Sequence, residues 1–164
     1  IMEYRIYRSV NGVYDLIPIA TVPSSQSFYQ DNIEALVANK ITGEFCYYIE
    51  AIESSNNYGI AETSFSNRSC VNHTPIVYVP NGLFIGGINN KWKPVVSLID
   101  FSSYDIQVVG RQGHIVFSSS DANQEWDGKY KGEYVPIDVY VYQLTFVDAE
   151  GQFYEFSGHI TVVR

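Results

Sequence analysis

The 164-residue sequence has few of the residues that zinc sites, membrane spans and nucleic-acid surfaces require. It holds 2 Cys and 3 His, and these do not have the spacing of the four ligands of a zinc site. No apolar run approaches the ~20 residues that span a bilayer. Basic residues number 10 against 18 acidic ones, for a net charge of -8. With no stripe of Lys and Arg to offset that charge, nucleic acid is not expected as a partner.

The residues that are abundant indicate an all-β protein. Val and Ile together number 35, against 13 for Leu, Met and Ala, and there are 14 Tyr and 9 Phe. β-Branched and aromatic side chains fit a pleated, half-buried surface and lose rotamer freedom in helices. Short strand-like runs recur between turn formers, which is typical of β-sandwiches. The predicted strands are 3–10, 14–22, 27–31, 44–53, 60–70, 76–80, 92–99, 103–109, 113–118, 138–147 and 153–163.

Two of these strands show clear alternation of apolar and polar residues, which places their apolar residues on one face. The apolar sets are Tyr140, Tyr142, Leu144 and Phe146 in one strand and Tyr104, Ile106 and Val108 in the other. Residues 148–151 read Asp-Ala-Glu-Gly and are predicted to join the last two strands as a hairpin.

The second half of the chain carries short motifs in a particular order. They are Val79-Pro80-Asn81-Gly82, Gly87-Ile88-Asn89, Gly113-His114-Ile115-Val116-Phe117, Trp126-Asp127-Gly128, Val139-Tyr140-Val141-Tyr142 and a final run from Gly158 to Arg164. Each motif alone is common, but the order resembles the gliding-motility-associated C-terminal domain, the type B sorting signal of the bacterial type IX secretion system. The resemblance covers roughly residues 75–164.

The resemblance implies a function in export and placement at the cell surface, without catalysis by this chain. Its implied partners are the type IX translocon and a PorP-type outer-membrane barrel protein. We expect no cofactor and no metal, because residues 83–90 lack the aspartates that the family places there. The implied sorting residues are Pro80, Asn81, Gly82, Gly87, Asn89, Gly113, Trp126, Asp127, Gly128, Tyr140, Tyr142, Gly158 and Arg164.

The first half resembles strands C to G of a fibronectin type III domain. The matching text is Tyr4-Arg5-Ile6-Tyr7-Arg8-Ser9, Ile19-Ala20-Thr21-Val22, Tyr29-Gln30-Asp31, a run from Phe45 to Ala51, and Ser66-Asn67. We expect residues 1–72 to be such a domain, truncated before its strand C and preceded by other parts of a longer parent chain. A polar segment ending in Pro75 favours a boundary before residues 73–164. The sequence thus predicts two immunoglobulin-like β-sandwich domains in tandem.

The two cysteines, Cys46 and Cys70, are predicted to form a disulfide. If residues 45–53 and 61–70 form an antiparallel hairpin around Asn57 and Tyr58, paired residue numbers sum to about 116, as do those of the cysteines. Disulfides persist in oxidising compartments, so a bond would place the domain outside the cytoplasm. Two free buried thiols are the alternative.

Other functions are also open from the sequence. Exposed aromatic residues, including Trp92 and Trp126, would suit a carbohydrate- or protein-binding module of an adhesin. An enzyme would need the acids at 121, 125, 127 and 138 to converge on a cleft, or Ser118–Ser120 to pair with His114. We favour a structural interpretation of these residues. In it, Trp126 packs in the core, Asp127 and Gly128 form a turn, and the acids lie in a solvated loop.

Overall fold

The computed structural model describes residues 1–55, 59–60, 62–88 and 90–164. Its regular structure is almost wholly β-strand, so the predicted all-β sandwich class is confirmed. The chain divides into two compact units, Ile1–His73 and Thr74–Arg164. No helix among the described residues is long and apolar enough to cross a membrane.

The first unit is built on two long antiparallel strands. Its elements are β1 (Glu3–Val10), β2 (Val13–Tyr14), β3 (Ala20–Pro23), α1 (Glu34–Val37), β4 (Glu44–Ile52), β5 (Thr63–Phe65) and β6 (Ser69–Asn72). Strands β1 and β4 pair along their whole length, while β2 and β3 flank β1 and β5 and β6 flank β4. The predicted turn at Asn57 and Tyr58 lies outside the described residues.

The prediction of a strand at 27–31 is wrong. The segment is held to the sheet by side chains instead of a backbone ladder, because the Asp31 carboxylate accepts hydrogen bonds from Arg8 Nη1 at 2.7 Å and Tyr47 Oη at 2.9 Å. Burial, together with the hydrogen bond to Asp31, raises the pKa of Tyr47 to about 12. The predicted strand at 14–22 is also interrupted, between β2 and β3.

One face of the first sheet is apolar and only partly covered. Tyr4, Ile6, Ile49 and Ala51 line a groove of about 1050 Å³, and Ile49 is 41% exposed. This sheet therefore has an apolar face that the described residues do not close. The assignment of the first unit as a truncated fibronectin type III domain stays a prediction.

The predicted disulfide is confirmed. Cys46 lies directly opposite Cys70 in the pairing of β4 with β6, and their sulfurs are bonded. The residue numbers in this pairing sum to 116, whereas those in the pairing of β4 with β5, such as Glu50 with Phe65, sum to 115. The register therefore shifts by one residue between β5 and β6.

Removing this bond by Cys46→Ala and Cys70→Ala is expected to destabilise the first unit. A disulfide that closes a loop with a sequence separation of 24 stabilises by about 3.5 kcal/mol in the chain-entropy model. Urea denaturation of the double variant and the parent measures the loss. Native protein in which both thiols react with an alkylating agent would contradict the bond.

The second unit contains the two longest strands among the described residues, Asp100–Val109 and Phe153–Val163. Its elements are β7 (Ile76–Tyr78), β8 (Gly82–Phe84), β9 (Val95–Ser97), β10 (Asp100–Val109), β11 (Ile115–Ser119), β12 (Lys129–Tyr130), β13 (Glu133–Tyr134), β14 (Val139–Val147) and β15 (Phe153–Val163). The main sheet has the order β11-β10-β14-β15-β8, with β8 parallel to β15. Strands β7 and β9 form a separate pair, as do β12 and β13.

The faces predicted for β10 and β14 are confirmed. Tyr104, Ile106 and Val108 are at most 2% exposed, and Leu144 is fully buried. The hairpin between β14 and β15 is also present, with the Gly151 amide donating to the Asp148 carbonyl at 3.1 Å. The short strand β8 was not predicted, although it forms the outer edge of the sheet.

Candidate functional site

Two tryptophans form the centre of the second unit. Trp92 and Trp126 exchange backbone hydrogen bonds of 2.8 and 2.7 Å, and their rings meet edge to face at 6.4 Å. Both are 1% exposed, so neither belongs to an open sugar-binding face. Buried Trp usually finds a partner for its N–H, and Trp92 Nε1 donates to the carbonyl of Pro80 at 2.7 Å. The Pro-Asn-Gly and Trp-Asp-Gly motifs therefore meet at one place.

Three further predicted sorting residues join this centre. The Tyr140 ring contacts Trp126 at 5.6 Å, and the Tyr142 ring contacts Trp92 at 5.9 Å. Gly158 lies directly opposite Tyr142 in the pairing of β14 with β15. We call this contiguous set the tryptophan core: Pro80, Trp92, Trp126, Tyr140, Tyr142 and Gly158. Trp92 was not among the predicted sorting residues, because only the long-range pairing reveals its contacts.

The Trp126-Asp127-Gly128 motif combines core packing with a turn. A Cβ at Gly128 would approach Ile85 Cδ1 to 2.9 Å, which is a steric clash. Gly128 also has φ +76°, a backbone conformation that residues with a side chain rarely adopt. The exposed Asp127 accepts a hydrogen bond from the Lys129 amide at 3.0 Å, which closes the turn. The geometry agrees with the interpretation of this motif as core plus turn.

The Pro-Asn-Gly motif begins the edge strand β8. The Asn81 carbonyl accepts a hydrogen bond from the Thr161 amide at 2.9 Å, and Gly82 lies opposite Thr161. A Cβ on Gly82 would lie 3.8 Å from the Thr161 carbonyl, which is ordinary contact. The motif therefore joins the start of β8 to the end of β15.

The remaining predicted residues lie in turns and at the terminus. A Cβ at Gly87 would fall on the Phe84 ring, and Gly113 closes the turn before β11. Arg164 places its guanidinium 5.6 Å from the centre of the Tyr134 ring. Asn89 lies outside the described residues. These positions are not in the tryptophan core.

Gly158→Ala is expected to destabilise the second unit by about 1–3 kcal/mol, the usual cost of overpacking. A Cβ there would lie 2.7–2.9 Å from Tyr142 atoms, and the Tyr142 ring is packed against Trp92. Gly82→Ala is the matched control, since a Cβ added there meets no clash. It should lower the free energy of unfolding by less than half as much as Gly158→Ala. Chemical denaturation measures both; equal losses would contradict the packing role of Gly158.

Three of the four acidic side chains considered for catalysis form separate ion pairs. Glu125 pairs with Lys91 at 3.3 Å, Asp127 with Lys129 at 3.8 Å, and Asp138 with Arg111 at 3.9 Å. Ser119 Oγ donates to Gln124 Oε1 at 2.7 Å, while the His114 ring packs near Tyr130. Among the described residues, Glu44 is grouped with Cys46 and Cys70, but the bonded sulfurs are not thiolate ligands.

A profile of the CHU_C type IX secretion signal domain family matches residues 77–162. The match spans more than half of the chain and lies within the second unit. The chain belongs to this family. The resemblance predicted for the second half is thereby confirmed, and the type IX secretion signal domain implies export to the surface or the medium. Among curated proteins, no relative matches the chain.

Proposed function

We propose that the second unit is a sorting signal that the type IX translocon reads as a folded surface, with a PorP-type outer-membrane barrel as its direct partner. The secretion signal domain lies within Thr74–Arg164, which is a compact unit by itself. The proposal assigns the predicted sorting residues to this recognition. It places any enzymatic or adhesive activity of the exported protein outside residues 74–164.

The observation that carries the proposal is the contiguity of the tryptophan core. Residues as distant in the sequence as Pro80 and Gly158 are joined through Trp92 and Tyr142. A linear peptide signal would not need such contacts, because its residues would be read one after another in an extended chain. These contacts support recognition of a fold whose surface the motifs help to shape.

The proposal also treats the chain as non-catalytic. The matching family is a secretion signal. Three of the four acids considered for catalysis have separate ion-pair partners, and Ser119 Oγ donates to Gln124 Oε1. The alternative, a binding module of an adhesin, loses its support in the second unit because both tryptophans are buried.

The test is a fluorescent protein fused to residues 1–164 and expressed with an N-terminal signal peptide in a gliding bacterium. We expect the fusion at the cell surface or in the medium, and in the periplasm of a strain without a working translocon. Equal export with and without the translocon would refute the assignment.

A further inference from the structure

Strand β15 has an outer edge that is paired over only a small part of its length. Strand β8 covers Thr161–Val163, in parallel. Within the described part of the chain, no strand pairs with the outer side of residues 153–160. At about 3.3 Å per residue, this open edge is about 26 Å long. We call residues 153–160 the open edge.

The chain cannot close the open edge by extending β8 backward. Continuing the register of Gly82 with Thr161 would place Pro80 opposite His159 and Tyr78 opposite Ser157. Proline has no N–H to donate, and the Pro80 carbonyl is already bonded to Trp92. Tyr78 is paired with Val95 in the separate two-stranded sheet of β7 and β9. Residues 78–80 are therefore held away from β15 by these contacts, and the open edge has no partner among the described strands.

The backbone groups along the open edge alternate in direction. The Thr161 amide donates outward to Asn81, and the Val162 amide donates to Asp138 on the opposite side. Because this direction alternates along a strand, the N–H and C=O of Glu155, Ser157 and His159 point outward. They have the arrangement that an added strand requires.

Burial along β15 falls where β8 ends. Ile160 and Val162 are fully buried, whereas Tyr154 and Phe156, on the same face, are only partly buried. The rings of Tyr154 and Phe156 lie 5.4 and 5.8 Å from Phe146 and form an apolar shelf beside the open edge. Alternate side chains of an added strand would cover the rings of Tyr154 and Phe156, as β8 covers Ile160 and Val162.

The charge near the open edge indicates the chemistry of the added strand. Two carboxylates lie beside the open edge, and residues 153–160 contain no Lys or Arg. One is Asp148, which accepts a hydrogen bond from Tyr154 Oη at 3.1 Å. Glu155 lies on the edge strand, with its carboxylate accepting a hydrogen bond from Gln143 at 2.7 Å. A second copy of this chain would carry the same net charge of -8, and its Glu155 would be destabilising wherever it faced another carboxylate across the strands. A basic segment would be attracted.

We propose that an extended segment of the translocon, apolar at alternate residues and carrying Lys or Arg beside Glu155, binds the open edge as an added strand. Natural proteins often protect exposed edges with Pro or Lys, and the sequence Phe153–Val163 contains neither. This inference rests on the proposed function and specifies the surface that the translocon contacts.

The test compares export of the 1–164 fusion in wild-type form and with Ser157→Pro. Proline removes an outward N–H without removing a bond to β14, so the domain should stay folded while an added strand loses its ladder. Export should fall at least tenfold. Ala149→Pro, in the hairpin turn of the same strand pair, is the matched control and should export at the wild-type level. Glu155→Lys should lower export at least threefold.

Hydrogen exchange gives a readout that does not depend on a variant. In the purified complex of the 1–164 fusion with the translocon, the amides of Glu155, Ser157 and His159 should exchange at least tenfold more slowly than in the free fusion. Unchanged exchange at these amides in a complex that forms would overturn the inference.

The remaining outcomes separate this inference from the proposed function. If the wild-type fusion is not exported, both are wrong. If the wild-type and Ser157→Pro fusions are exported equally, only the strand addition is wrong. A dimer of residues 1–164 in sedimentation experiments that Ser157→Pro abolishes would assign the edge to a second copy and would also overturn the inference.

Discussion

A chain that ends at Gln152, before β15, is expected to lose the fold of its second unit and its export together. The missing strand pairs with β14 over nine residue pairs, from Val139 with Thr161 to Val147 with Phe153. It contributes the fully buried Ile160 and Val162, each worth about 1.5–3 kcal/mol. Its loss also uncovers Phe146 and Leu144. The stabilisation lost in total is comparable with the whole free energy of unfolding of a domain, about 5–15 kcal/mol.

Thermal unfolding and the export assay measure the two losses in the same fusion. The control is a chain that ends at Val163 and lacks only the exposed Arg164, which should remain folded. A truncated fusion exported as well as the intact one would show that the translocon does not read the folded unit. A chain ending at Val163 that folds but is not exported would instead assign a direct contact to Arg164.

Trp126→Ala is expected to destabilise the second unit by about 3–5 kcal/mol, the usual cost of truncating a buried Trp. The side chain is 1% exposed, contacts the rings of Trp92 and Tyr140, and donates from Nε1 to the Lys129 carbonyl at 3.1 Å. Removing it leaves a cavity at the centre of the tryptophan core. Urea denaturation of residues 1–164 measures the change.

The neighbouring motif residue should behave differently. Asp127 is exposed, and its hydrogen bond to the Lys129 amide is worth about 1 kcal/mol, so Asp127→Ala should cost much less than Trp126→Ala. If Asp127→Ala abolishes export in a folded protein while Trp126→Phe does not, the translocon contacts the turn directly. If Trp126→Ala leaves stability unchanged, the core role of this motif is wrong.

The sequence predicted the features that depend on local periodicity. Alternation in residues 138–147 predicted which side chains of β14 face the core. The turn at Asp148–Gly151 predicted the hairpin between β14 and β15. The Cys46–Cys70 pairing followed from hairpin arithmetic, because antiparallel partners have a constant sum of residue numbers. The sum of 115 in the pairing of β4 with β5 would place Cys46 opposite Ser69, so the one-residue shift between β5 and β6 is what brings Cys70 opposite Cys46.

The sequence did not predict the features that depend on distant contacts. Strand β8 has three residues and one of them is glycine, so it carries no periodic pattern. The bond from Trp92 to Pro80 and the bridge from Trp92 to Trp126 arise only when the sheets assemble. The false strand at 27–31 has strand-like aromatic residues, but the ion pair between Arg8 and Asp31 holds it instead. Most residues of the tryptophan core could therefore be singled out from the sequence, but Trp92 and the contacts that join the set could not.

The most direct measurement compares the two units as separate export signals. A fluorescent carrier with an N-terminal signal peptide is fused to residues 74–164 in one strain and to residues 1–73 in another, and fluorescence is measured in cells, membranes and medium. We predict that the second unit alone directs the carrier out through the translocon and that the first unit leaves it in the periplasm. Export of the carrier by residues 1–73, or its retention with residues 74–164, would contradict the assignment of sorting to the second unit.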